Sequence, residues 1–138
     1  MEGIGVEVGN SNIKIGLLCK KKLVKILIFP TKDIKKLKLP VEWEEISPAF
    51  IGIASVVPFI NPTLKKKFRM YRKDVFVVTP SLCGLPLKVK NPDRLGVDRV
   101  LNCKAALELV KSDVIVIDIG TAITIDYASK KGFMGGVI

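Results

Sequence analysis

Two stretches far apart in the chain carry the same pattern, VEVGNSNIKIGL at Val6–Leu17 and IDIGTAITIDYA at Ile117–Ala128. In each, an apolar strand reaches an acid (Glu7, Asp118) and the chain passes a glycine (Gly9, Gly120). Small polar residues follow (Asn10, Ser11 and Asn12; Thr121 and Thr124), and an alternating strand resumes. Glycine lets backbone N–H groups approach a ligand without a Cβ in the way, as a hairpin turn allows. Clustered N–H and hydroxyl donors suit phosphate oxygens, and an acid at the strand end can hold hydrated Mg²⁺ against them. One such hairpin is most often just a turn. Two of them, each with its acid two residues before the glycine, predict two lobes facing each other across a nucleotide.

The 138 residues are enough to bury a core. With 49% hydrophobic and 26% charged residues the chain is ordinary globular material. Its apolar runs have strand length and fall short of the roughly 18 residues needed to cross a bilayer. The start shows no secretion signal. The cysteines Cys19, Cys83 and Cys103 are odd in number and lack CxxC spacing, which argues against a disulfide framework and a zinc site. These features predict a cytoplasmic protein without a membrane role. The formal charge of +10 comes largely from lysine runs with few aromatics between them. They read as solvated surface that favours an anionic substrate, not as a nucleic-acid interface.

Along the chain, Gly3–Val8, Ile13–Cys19 and Leu23–Phe29 read as a meander of three antiparallel strands. Thr31 is the expected cap of a short helix carrying Ile34, Leu37 and Leu39, which Pro40 stops. Phe50–Val56 and Val75–Thr79 read as buried strands, joined by a basic amphipathic helix over Pro58–Arg72 with Leu64, Phe68 and Tyr71 inward. Ser81–Pro92 is a proline-rich loop, and Asp93 is the expected cap of a long helix reaching about Lys111. The resulting fold class is α/β, a mixed sheet flanked by helices. It comprises a first lobe over residues 1–111 and the beginning of a second, similar lobe over 112–138. Three short strands cannot bury a core alone, so a longer protein or a partner is expected to complete the second lobe.

A third site is LGVDRVLN, Leu95–Asn102, placed in the first turns of the long helix. An acid at Asp98 can draw a proton from a substrate hydroxyl. The neighbouring Arg99 guanidinium can grip a carboxylate through two parallel hydrogen bonds. Gly96 costs helix stability, which close approach by a ligand or a second backbone would explain. A surface ion pair on an exposed helix is the plainer account of the same residues.

Taken in order, VEVGNSNIKIGL, NPDRLGVDRVLN, IDIGTAITID and GFMGGVI resemble the successive motifs of the type III pantothenate kinases, in the acetate and sugar kinase, Hsp70 and actin superfamily. The resemblance implies two RNase H-like lobes with ATP between them, and phosphorylation of pantothenate as the first committed step of coenzyme A synthesis. It also implies a homodimer using Mg²⁺ with ATP and a monovalent cation, K⁺ or NH₄⁺. It assigns Gly9, Asn10, Ser11 and Asn12 to a first phosphate loop, and Gly120, Thr121 and Thr124 to a second. Asp98 matches the general base, Gly96 and Arg99 match pantothenate-binding positions, and Asp118 matches the acid linked to cation binding. Glu7 stands where the family usually has aspartate, and no aromatic residue precedes Asn91-Pro92. Gly135 and Gly136 match a later, less specific glycine motif. A non-catalytic relative that binds a nucleotide or a protein, and another sugar or acyl kinase of the superfamily, are the rival readings.

Overall fold

The computed structural model describes residues 2–20, 22–44, 46–71 and 74–138. Lys21, within the first lysine run, and the expected helix end at Arg72 lie outside them. Two compact units, Met1–Val77 and Val78–Ile138, divide the chain.

The first unit opens with the expected meander, β1 (Glu2–Val8), β2 (Asn12–Cys19) and β3 (Lys22–Pro30). β1 pairs antiparallel with β2, and β2 with β3. β4 (Phe50–Ser55) adds parallel to β1, and β5 (Val75–Val78) extends the five-stranded sheet in the order β3-β2-β1-β4-β5. This mixed order is that of the expected RNase H-like lobe. Alternation selects the buried face, because successive side chains leave a strand on opposite sides. Ile4, Val6 and Val8 of β1, Ile13 and Ile15 of β2, and Ile51 and Ile53 of β4 share the core with Leu37, Leu39, Trp43, Leu64 and Phe68.

The connections depart from expectation in detail. Thr31 does not cap a helix: its hydroxyl donates to the Gly9 carbonyl at 2.7 Å, and residues Thr31–Lys36 form a 3₁₀ segment without a side-chain cap. Leu37 and Leu39 reach the core from the extended chain beyond it, ahead of a four-residue helix, α1 (Val41–Glu44). The basic helix is shorter than expected. A 3₁₀ turn at Pro58–Ile60 leads into α2 (Asn61–Phe68), which leaves Tyr71 beyond the helix, half-buried against the same core.

The second unit holds α3 (Val97–Val110) and an antiparallel sheet of β6 (Val114–Ile119), β7 (Ile123–Ser129) and β8 (Gly132–Val137). The β6–β7 hairpin repeats the β1–β2 hairpin, as the duplicated sequence pattern implies. α3 starts three residues later than Asp93 would place it, capped at Gly96, because Pro92–Arg94 close a 3₁₀ turn and Leu95 is extended. Lys111 ends it in the left-handed region, φ 61°. α3 packs on β6 and β7. Within the expected loop, Leu87 bridges to Phe133 of β8, and Gly132 (φ +133°) stands where a Cβ would strike the Pro86 carbonyl. None of the described helices is long and apolar enough to cross a membrane.

Candidate functional site

The first hairpin turn is held from within. The Gly9 N–H donates to the Asn12 carbonyl at 2.9 Å, and the Thr31 N–H donates to the Ser11 carbonyl at 2.9 Å. Together with the Thr31 hydroxyl, these bonds fix the backbone while Asn10, Ser11 and Asn12 stay exposed. Glu7, one strand position from the core face, is also exposed. Its carboxylate takes both oxygens to Lys14 Nζ, at 3.1 and 3.2 Å.

In the second unit, the corresponding turn is built alike. The Gly120 N–H donates to the Ala122 carbonyl at 3.0 Å, with Gly120 and Thr121 exposed and Thr124 half-buried. Asp118, at the end of β6, is exposed and accepts a hydrogen bond from Asn102 Nδ2 at 3.2 Å. Asn102 on α3 thereby ties the helix to the acid of the second hairpin, a link within LGVDRVLN that sequence reasoning did not draw. Among the described residues no group of three or more Cys, Asp or Glu side chains gathers to hold a metal ion.

The first turn of α3 carries the remaining candidates. Asp98 lies two residues after the cap, half-buried, and its Oδ1 accepts the Arg99 N–H at 2.8 Å. A carboxylate there answers the unpaired N–H groups and the positive end of the helix dipole. A Cβ on Gly96 would overlap that same Oδ1. The close approach that glycine permits is therefore made by the helix's own acid.

Arg99 turns to the β-sheet. Its Nε donates to Asp126 Oδ1 and Oδ2 at 3.0 and 3.1 Å, and Nη2 donates to Oδ1. Asp126 on β7 is 2% exposed and the Arg99 side chain 13%. The Phe133 ring centre stands 6.0 Å from the guanidinium carbon. The hydrogen bond to Asp126 outweighs burial and holds the guanidinium above its ordinary range, helped by the charges of Asp126 and Asp98. One turn along the helix, burial pushes the Cys103 thiol from about 9 up to about 11; the Asp126 charge adds to the rise and Arg99 opposes it. Asp126 was not among the residues that the motifs singled out. Alternation places it with Thr124 and Ala128 opposite the apolar phase of Ile123, Ile125 and Tyr127, and only the structure shows that this phase is the one turned inward.

A cavity of about 390 Å³ in the second unit is lined by Leu85, Pro86, Lys104, Leu107, Lys111 and Ser129, among others, and by none of the predicted site residues.

The family model for type III pantothenate kinase matches residues 4–138. The chain belongs to the type III pantothenate kinase family. It is 33% identical to the type III pantothenate kinase of Citrifermentans bemidjiense over 148 residues, an alignment covering 96% of the chain and 58% of that protein. It is 35% identical to the one of Geotalea uraniireducens over 149 residues, covering 96% and 57%. The chain thus spans a little under three fifths of the length of these pantothenate kinases. Among solved structures, the Aquifex aeolicus member of the Ppx/GppA protein family is similar with a TM-score of 0.50 and 13% identity, over 99% of this chain and 50% of that one. That likeness concerns the fold alone.

Proposed function

We propose that the protein phosphorylates pantothenate with ATP, giving 4'-phosphopantothenate for coenzyme A synthesis. The observation that carries this reading is the first turn of α3, where Asp98 and Arg99 stand side by side in a chain of this family. Asp98 accepts the proton of the pantothenate hydroxyl as its oxygen bonds to the γ-phosphorus; the bond from that phosphorus to the bridging oxygen breaks, and ADP leaves. Arg99 anchors the acceptor carboxylate, with the Gly96 turn beside it. Asn10, Ser11 and Asn12 of the first turn, and Thr121 and Thr124 of the second, offer donors suited to nucleotide phosphates, while Gly9 and Gly120, whose N–H groups close their own turns, keep the backbone clear of a Cβ.

The Mg²⁺ that accompanies ATP fits Asp118: this carboxylate is exposed beside a phosphate turn, and a single acid suffices for an ion that keeps waters and phosphate oxygens as its other ligands. When bound, the ion neutralises charge on the transferring phosphates. Glu7 fits less well, because Lys14 already holds both of its oxygens. The resemblance adds K⁺ or NH₄⁺ near Asp118, a cytoplasmic setting and a homodimer for the enzyme in use.

The Glu7–Lys14 pair also favours a second reading, a non-catalytic relative that binds a nucleotide or a protein. Calorimetric titration with MgATP and pantothenate separates the two. The kinase reading predicts binding of both, and a protein that does not bind pantothenate, whether or not it binds MgATP, overturns it.

A further inference from the structure

A guanidinium has two edges that can present parallel N–H pairs, one formed by Nε with Nη2 and one formed by the outer hydrogens of Nη1 and Nη2. In Arg99 the first edge is spent on Asp126. Among the described residues, the hydrogen bonds of this group all come from Nε and Nη2. The surroundings then fix the plane. Asp126 is in register with Gly136 of β8, and a Cβ on Gly136 would overlap Asp126 Oδ1 and stand 2.7 Å from Arg99 Nη2. The Phe133 ring, fully buried, lies 6.0 Å from the guanidinium carbon. A charged pair so deeply enclosed is costly to build where a surface anchor would serve. A neutral core residue in place of Asp126 would leave Arg99 free to swing.

We infer that Asp126 is a positioning residue: it takes the Nε edge of Arg99 so that the Nη1–Nη2 edge faces the carboxylate of the acceptor, while Gly136 makes room for the pair. The inference rests on the reading in which Arg99 anchors that carboxylate. It deepens that reading by specifying an end-on grip and naming two residues of the second sheet that maintain it. Asp126 does not touch the acceptor; it acts through Arg99.

The test is nitrogen-detected NMR of the arginine side chains in the whole 138-residue chain. The chain is titrated with pantothenate and with pantothenol, the alcohol that lacks the carboxylate. In the wild type the Arg99 Nε–H signal is protected from exchange; pantothenate shifts the Nη signals and leaves Nε–H in place, and pantothenol does neither. In Asp126→Asn one oxygen remains but the other becomes an NH₂ group facing the guanidinium donors, so the Nε–H protection falls. The preference for pantothenate over pantothenol shrinks by on the order of tenfold or more, the scale of a misplaced binding group. A residue that only stabilised the fold would weaken both ligands by the same factor. A wild-type Nε–H signal that moves most on adding pantothenate overturns the inference without any variant, because the carboxylate would then be displacing Asp126. An unchanged preference in Asp126→Asn, with a wild type that prefers pantothenate, also overturns it and leaves the kinase reading standing. A wild type that responds to neither acceptor overturns the kinase reading and this inference with it.

Discussion

Removing Arg99 leaves Asp126 as an uncompensated charge 2% exposed. Breaking a buried pair from one side costs about 3–5 kcal/mol, whereas replacing both partners with apolar groups is often neutral. Arg99→Ala is therefore expected to lower the urea unfolding free energy by that amount, and Arg99→Met with Asp126→Leu to restore most of it. Cys103 adds a pH dependence in the same cluster. Its thiol is raised in the folded state, so the neutral form is the favoured one. The associated stability is complete below the ordinary thiol range and is lost as pH rises from about 9 through about 11. At about pH 8, a thiol reagent is expected to modify half-buried Cys19 in the folded chain and Cys103 only on unfolding. The sequence announced Asp98 and Arg99 through their adjacency, but not where Arg99 would turn. Asp126 belongs to a strand twenty-seven positions further on, and only the packing of α3 on β6 and β7 brings it to the helix.

At the scale of elements, the strands were legible because alternation is a local property: β1, β2, β3 and β4 each begin and end within a residue of the apolar pattern that predicts them. Helix ends were not. Asp93 has the chemistry of a cap, yet Pro92 closes a 3₁₀ turn and the helix waits for Gly96. Thr31 likewise has cap chemistry, and its hydroxyl goes instead to Gly9, 22 residues away. A capping residue is recognised by what its side chain reaches, which a single sequence does not display. The Thr31–Gly9 bond ties the first hairpin turn to the end of β3. Thr31→Val keeps the shape and leaves the Gly9 carbonyl short of a donor. The expected cost is about 1–2 kcal/mol by urea denaturation, with faster amide exchange at Gly9 and Asn10.

Across the whole molecule, the duplicated hairpin is the feature that sequence and structure share most fully, one copy in each compact unit. The second copy holds a reversal that alternation alone conceals. Its apolar phase, Ile115, Ile117 and Ile119 on β6 with Ile123, Ile125 and Tyr127 on β7, lies on the exposed face, with Ile119 at 77% and Ile115 at 69%. The phase holding Thr124, Asp126 and Ala128 is the one turned inward. A contiguous apolar surface of this kind binds hydrophobic dyes and promotes association. The chain is expected to enhance anilinonaphthalene sulfonate fluorescence and to sediment faster as its concentration rises; Ile117→Lys with Ile125→Glu should suppress both.

The central claim is phosphoryl transfer with Asp98 as the base, and its most direct measurement is transfer of labelled γ-phosphate from ATP to pantothenate by the wild-type protein and by Asp98→Asn. The amide retains an oxygen for the Arg99 N–H, so the start of α3 is expected to keep its shape, as circular dichroism and the unfolding midpoint will report. The account predicts labelled 4'-phosphopantothenate from the wild type and a loss of about 10²–10⁴-fold in the variant. Transfer that survives the substitution undiminished would contradict it.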